Sequence, residues 1–452
     1  FADFMLANQS FAAARSGPDQ ANAPFKVANY TGVEILSLLG SGGNDTLQVD
    51  MPATGAMPTV ALEGMDEDDK LVVNLGGNPT AANAFGANGG SGANTLEVNT
   101  NSGHSDDVIV SGTFVATRLG PNAPNNPFKT VNYSNINRVN VLTGGGDDVL
   151  TANMPESGFF PAVVDLRGQD ENDTFNINII GPTSGALFTV DGGAGANDRL
   201  WINSLSNLGD FFVVNGTTTN VQIGPNAQTN PVKTVTYVGI NELNVFGAGG
   251  ADTITSVQPD NGIGPAIVNL LGGDESDSLE VVLGGAFTTA RWMLDGQGGT
   301  DNVASILDPP GFNTNIVVAN TAAPSAIGVA NVNFLQIFAQ DGNDRIEIQV
   351  AIESFVDGGP GDDTILGSSR DDVLFGNAGN DVIDGGDGTD VLIGSTGDDT
   401  LFGSNGRDVL FGGSGADSLH GGAEDDILIA GITAHETTFA SVIAIINEWV
   451  SS

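Results

Sequence analysis

The 452 residues include no cysteine, so neither a disulfide framework nor a thiolate-held metal organises this chain. Basic residues are scarce: 13 Lys and Arg stand against 55 Asp and Glu, a formal net charge of −42. A phosphate-binding surface needs clustered Lys and Arg, which excludes nucleic acid as a partner. No apolar run reaches the roughly 18 residues of a membrane-spanning helix, so no membrane span is expected. The chain begins with Phe1 rather than Met, and no basic stretch leads into a hydrophobic one there, as in a processed chain or part of something longer. The histidines His104, His420 and His435 are far apart, and no H-E-x-x-H or G-x-S-x-G motif occurs. Of four lysines, Lys26, Lys129 and Lys233 recur at one place in PFKVANY, PFKTVNY and PVKTVTY, which reads as a structural contact repeated with the fold. No catalytic constellation and no organic-cofactor site emerges.

What the chain has is glycine, 64 of them, among 40% hydrophobic residues in short Val/Ile/Leu pairs, the composition of strands and turns. Eight nine-residue units run from Gly358 to Ile429: GGPGDDTIL, GSSRDDVLF, GNAGNDVID, GGDGTDVLI, GSTGDDTLF, GSNGRDVLF, GGSGADSLH and GGAEDDILI. The sixth place is always aspartate, namely Asp363, Asp372, Asp381, Asp390, Asp399, Asp408, Asp417 and Asp426; the eighth is always Ile or Leu. A glycine-rich half turns the chain through angles that a side chain would obstruct, and the D-x-hydrophobic half makes a strand whose alternate residue points inward. Two units then close one flat coil. Stacked coils bring these aspartates together with turn carbonyls, among them those of Gly358, Gly376, Gly385, Gly394, Gly403 and Gly412. A hard cation prefers six or more such oxygens at roughly 2.3 to 2.6 Å, so several Ca2+ ions are expected between the coils. The array holds fourteen Asp and one Glu against Arg370 and Arg407, so without metal it repels itself, and folding and calcium binding are expected to be linked.

This segment resembles the repeats-in-toxin family of secreted bacterial proteins, whose nonapeptide G-G-x-G-x-D-x-U-x forms a parallel β-roll with calcium between turns. The resemblance implies an extracellular or cell-surface location, with the array unfolded and exportable where calcium is low and locked where it is high. Departures from the pattern fall at Ser368, Asn377, Ser395 and Ser404 in the second place and at Arg370 and Glu424 in the fourth; the last two mark the doubtful turns.

Upstream, NYTGVEILSLLGSGGNDTLQV, NYSNINRVNVLTGGGDDVLTA and TYVGINELNVFGAGGADTITS mark three copies of a module of about 104 residues, and VNFLQIFAQDGNDRIEI a shortened fourth. Within modules a turn signal recurs about every 25 residues: Asp45, Asp69 and Asn94; Asp148, Asp173 and Asp198; Asp252, Asp277 and Asp301. The gap of near 50 between modules is read as two such intervals. The period predicts an all-β fold, a right-handed parallel β-helix or solenoid of 25-residue rungs running into the β-roll. About fourteen rungs before Val356 would make a rod on the order of 70 Å, with roughly 20 Å more for the roll. A string of β-sandwich domains is the competing architecture, since the module has that length. The turns at Asp45, Asp252 and Asp344 read as structure rather than metal sites, because an isolated turn lacks a stacked twin one coil away.

The expected divisions are a solenoid over 1–355, a calcium β-roll over 356–430, and an amphipathic helix over 431–452 with Phe439, Val442, Ile443, Ile446, Trp449 and Val450 on one face. That helix would cover the last open coil; a secretion signal is the sharper reading. The amino end starts mid-repeat, so either more modules precede it or the open end docks head-to-tail on a neighbour. The reading that follows is an extracellular calcium-binding structural protein of a surface layer, matrix, adhesin stalk or filament, self-assembling or binding cell-surface polysaccharide. A carbohydrate-active β-helix enzyme with a calcium-binding tail and a fragment of a toxin or protease are the alternatives.

Overall fold

The computed structural model describes residues 3–8, 11–16, 26–29, 34–51, 59–76, 84–100, 103–120, 127–155, 158–181, 185–224, 230–257, 264–275, 277–282, 291–297, 303–307, 315–318, 326–330, 334–339 and 342–431. The expected carboxyl-terminal helix lies, from 432 onward, outside the described residues, as do Tyr30, Asp301 and His435. Every regular element among the described residues is a β-strand. The chain divides into two compact units, Phe1–Ser206 with Thr217–Asn244, and Asn207–Gly216 with Val245–Ser452.

In the first unit, Thr46–Asp50, Lys70–Asn74, Thr95–Asn99, Arg138–Leu142, Val163–Arg167 and Leu187–Asp191 lie side by side and parallel. Facing strands alternate with them along the chain: Ile35–Leu39, Thr59–Glu63 and Ala84–Asn88, and further on Val149–Met154, Thr174–Ile179 and Arg199–Ser204. In the first of these stacks the second and fourth residues of every strand are apolar and point inward, so a fixed register stacks one apolar pair on the next. Leu47 and Val49 are followed by Leu71 and Val73, Leu96 and Val98, Val139 and Val141, Val164 and Leu166, then Phe188 and Val190, all fully buried. Each such side chain contributes about 1.5–3 kcal/mol. Sandwich domains would pair antiparallel neighbours; these in-register parallel stacks exclude them and make the fold a β-solenoid.

The long interval between modules is not two further rungs. Asp107–Val110 pairs antiparallel with Phe114–Arg118, and Phe114–Arg118 antiparallel with Lys129–Ser134. The outer edges of this zigzag then rejoin parallel neighbours, Val149–Met154 on one side and Ala84–Asn88 on the other. The reversal at Ser111–Thr113 is closed by a Ser111 N–H donating to the Phe114 carbonyl, 2.9 Å, and the Tyr133 hydroxyl donates to the Ser111 carbonyl. Lys129 is buried here, and so is Lys233 at the equivalent place, as a contact repeated with the fold requires. Burial pushes the Lys129 ammonium down to about 8, opposed by Asp106.

The second unit carries the other β-stack from Phe211–Asn215 through Thr253–Val257, Ser278–Val282, Val303–Leu307 and Phe334–Phe338 to Glu353–Pro360. It continues without a break into Asp372–Ala378, Val391–Thr396, Val409–Ser414 and Ile427–Ile429. Opposite them stand Arg345–Ile348, Thr364–Leu366, Val382–Asp387, Thr400–Asn405 and Ser418–Ala423. Partners such as Leu374 and Leu392, or Ile383 and Leu401, are eighteen residues apart, so two nonapeptides do close one coil. The eighth-place residues Ile365, Leu374, Ile383, Leu392, Leu401 and Leu410 fill its interior with zero exposure.

Candidate metal centre

The site grows from the corner between strands. In most nonapeptides the second and fourth residues take a left-handed backbone, as at Asn377 (φ 75°) with Gly379 (140°) and Ser395 (80°) with Gly397 (136°). Asn tolerates this region better than most residues, and where the fourth place takes φ near 140°, as at Gly379 and Gly397, glycine is needed for a second reason. A Cβ on Gly397 would lie under 3.0 Å from the Gly379 carbonyl oxygen one coil earlier.

That double turn aims the sixth-place carboxylate along the stack. Its Oδ1 accepts the N–H of the sixth-place residue one coil before: Asp363 N to Asp381, 2.8 Å; Asp381 N to Asp399, 2.8 Å; Asp399 N to Asp417, 3.1 Å. The opposite corner repeats it from Asp372 N to Asp390, 2.9 Å, Asp390 N to Asp408, 2.9 Å, and Asp408 N to Asp426, 3.0 Å. Beside it a fifth-place ladder runs the other way, with Asn380 N donating to Asp362 Oδ1 and Asp398 N to Asn380 Oδ1, 2.8 and 2.9 Å. Each coil thus both donates to and accepts from its neighbours.

The second carboxylate oxygen is the informative atom. Oδ2 of Asp363, Asp381, Asp390, Asp399, Asp408 and Asp417 is buried without a hydrogen-bond partner. It occupies the space that a side chain on the first residue of its own nonapeptide would fill: a Cβ on Gly358, Gly376, Gly385, Gly394, Gly403 or Gly412 would come under 3.0 Å from it. At Gly394 and Gly403 the same space is also approached by the first-place carbonyl of the next coil, Gly412 and Gly421. Only acceptors converge there. Such an arrangement costs about 1–3 kcal/mol per unsatisfied group unless a cation or a proton enters it. The protonation behaviour agrees: burial, opposed by the backbone N–H and reinforced by neighbouring carboxylates, pushes Asp390 up to about 9, Asp381 to about 7, and Asp363 and Asp408 to about 6. The donor set, carboxylate and carbonyl oxygens without nitrogen or sulfur, fits Ca2+. Among the described residues no three His, Asp or Glu side chains cluster as a metal cage, so backbone carbonyls would supply most ligands.

One corner differs. Ser368 and Arg370 keep negative φ, Ser368 N donates to Asp372 Oδ2 at 2.7 Å, and Ser354 N donates to Asp372 Oδ1 at 2.8 Å. Ser368 Oγ also donates to the Ile352 carbonyl, 2.7 Å. Asp372 therefore has partners for both oxygens. The other departure, Glu424, holds the regular turn at φ 81° in place of glycine. His420 faces solvent as expected, although in a strand rather than a loop, stacked on Phe402 at 4.9 Å.

Residues 357–392 and 393–428 match the RTX calcium-binding nonapeptide repeat. The corners of this segment are similar to RTX turns. No curated protein is similar enough to the chain to count as a match. The match accounts for the C-terminal array, and its β-roll is the fold seen there.

Outside it, the same corner recurs where the sequence concealed it. Second and fourth residues are left-handed at Met65 (86°) and Glu67 (76°), Gln169 (78°) and Glu171 (68°), and Ala248 (77°) and Gly250 (100°), each pair preceding Asp69, Asp173 or Asp252. Asp45 N donates to Asp69 Oδ1, 2.8 Å, and Asp148 N to Asp173 Oδ1, 2.9 Å. Asp210 N donates to Asp252 Oδ1, 2.7 Å, and Asp344 N to Asp363 Oδ1, 2.8 Å. The upstream turns are therefore not isolated: each has a stacked twin, 24 to 42 residues away in the first three cases and 19 in the last. Besides the aspartates recurring about every 25 residues, the surviving sequence signal was a glycine five residues before the aspartate, as in Gly64 and Asp69.

Proposed function

We propose that this is an extracellular calcium-binding structural repeat protein whose C-terminal roll folds when calcium fills its corners. The observation that carries the reading is the row of buried, unpartnered Oδ2 atoms of Asp363, Asp381, Asp390, Asp399, Asp408 and Asp417, each set against its own first-place glycine. Asp363, Asp381, Asp390, Asp399, Asp408, Asp417 and Asp426, with carbonyls of Gly358, Gly376, Gly385, Gly394, Gly403 and Gly412, form the ligand set. Asp372 joins it after giving up its Ser368 contact. When bound, the ion supplies positive charge between acceptor groups of successive coils; the chain's residues do the rest, fixing coil spacing through the Oδ1 ladder. Low calcium leaves the array self-repelling, and high calcium locks it, because whatever binds only the folded form stabilises it.

The work done is mechanical, in a surface layer, matrix, adhesin stalk or filament, with the solenoid over 1–355, the roll over 356–430 and a covering segment over 431–452. The test is far-UV circular dichroism and negative-stain imaging of the full chain in calcium and in chelator. Strand signal and ordered particles that depend on calcium support it; particles unaffected by chelator would overturn it.

A further inference from the structure

Corners built like those of the roll also occur where no RTX repeat matches, at Asp69, Asp173 and Asp252. Each aspartate is at most 2% exposed, its Oδ1 accepts the ladder N–H, and its Oδ2 is buried without a hydrogen-bond partner. A Cβ on Gly64 would fall under 3.0 Å from both Asp69 Oδ2 and the Gly89 carbonyl oxygen; one on Gly247 would meet Asp252 Oδ2 and the Gly272 carbonyl oxygen in the same way. Gly394 shows the same pairing, with Asp399 Oδ2 and the Gly412 carbonyl, inside the roll.

A natural substitution identifies what this space requires. Asn94 stands at the sixth place of the corner after Asp69, and its Oδ1 accepts the Asp69 N–H at 2.8 Å. Its amide nitrogen takes the place of the carboxylate Oδ2 beside Gly89 and donates to the carbonyls of Ser91, Gly92 and Asn135, 3.3, 3.5 and 3.2 Å. Carbonyls of the corner and of the next rung therefore face this point. With asparagine the chain supplies its own donor; with aspartate, as at Asp69 and Asp252, a charged carboxylate oxygen and the next rung's carbonyl oxygen meet instead. Hard divalent cations match that set. Carboxylates at Asp66, Glu67 and Asp68, and at Asp170 and Glu171, lie in the same corners and deepen the negative field.

We propose that the corners at Asp69, Asp173 and Asp252 are calcium sites of the same construction as those of the roll, so that calcium is distributed along the 25-residue rungs as well as the nonapeptides. The proposal rests on the reading that roll corners hold calcium. It is tested on the full chain by equilibrium dialysis against radiolabelled calcium, comparing the natural protein with three variants: Asp69→Asn/Asp173→Asn/Asp252→Asn, Asp381→Asn/Asp399→Asn, and Asn94→Asp. The upstream triple variant is expected to hold fewer ions, one lost for each carboxylate replaced, and Asn94→Asp to hold one more. An upstream variant that binds as many ions as the natural protein, while the roll variant loses its own, overturns the inference and leaves the roll intact. If neither the natural protein nor the roll variant binds calcium, the functional reading fails with it. Should the triple variant not fold, Asn94→Asp decides: a gained ion supports the proposal, and an unchanged count, meaning protons or nothing in these corners, refutes it.

Discussion

Asp390→Asn should change the sign of its effect with calcium. Asp390 has no exposure, its Oδ1 accepts the Asp372 N–H at 2.9 Å, and its Oδ2 has no hydrogen-bond partner. Asparagine keeps the first contact and turns the second oxygen into a donor, as Asn94 does toward three carbonyls. In chelator at a pH above about 9, where the folded Asp390 is ionised, the variant is relieved of a buried, unsatisfied acceptor, a gain of about 1–3 kcal/mol. In calcium it forfeits a ligand for the ion, and the loss is the binding linkage itself, about 2.7 kcal/mol when calcium exceeds the dissociation constant a hundredfold. The assay is far-UV circular dichroism of the full chain. In EGTA the osmolyte concentration needed to fold the variant should fall below that of the natural protein; in calcium, the urea concentration needed to unfold it should also fall. An effect of the same sign under both conditions would refute the acceptor-only description of the corner.

Further outcomes follow from the same corners. In chelator, acid should fold the roll: Asp363, Asp381, Asp390 and Asp408 have folded-state values of about 6, 7, 9 and 6 against an ordinary 3.8, so the folded form holds protons that the unfolded form has released. That stability is complete below the ordinary value and is lost as pH rises through the folded values, so strand signal in EGTA should appear on titration from about pH 9 down to about pH 4. Calcium affinity should move oppositely and weaken in acid, which isothermal titration at two pH values checks. Gly397→Ala should cost about 3 kcal/mol or more, since a Cβ there strikes the Gly379 carbonyl and φ is 136°; urea melts in calcium measure it, and in EGTA the osmolyte concentration needed for folding should rise. Glu424→Gly should stabilise by about 1 kcal/mol in the same melts by releasing a left-handed glutamate at φ 81°.

The roll was legible because most places in its nonapeptide are filled by the residue type whose physics the place demands: glycine or asparagine at positive φ except at Ser395, Ser404 and Glu424, Asp at the ladder, Ile or Leu inside. Gly379, Asp381 and Ile383 could be assigned from spacing alone. Upstream, the same corner accepts Met65, Glu67, Gln169, Glu171 and Ala248 at left-handed positions, residues that carry no signal of that conformation. What persisted was Gly64 before Asp69 or Gly247 before Asp252, too little to reveal that these turns stack. The antiparallel zigzag was hidden for another reason. Phe114–Arg118, apolar at Phe114, Val115 and Ala116, reads as one more strand, and its run of buried residues records that it is covered, not the direction of the neighbour. Asp372 could not have been singled out from its aspartate, only from Ser368 and Arg370, whose backbone relinquishes the turn.

The corner joins partners 18, 19, 24, 25 and 42 residues apart with nearly the same Oδ1 contact, 2.7 to 3.1 Å. Chain length between successive corners is thus a free variable, set by nothing in the corner itself. A scaffold with that property can lengthen its intervening segments, even to a whole hairpin, while each return is still caught at a fixed post, and foreign sequence grafted opposite the aspartates should leave the stacking undisturbed.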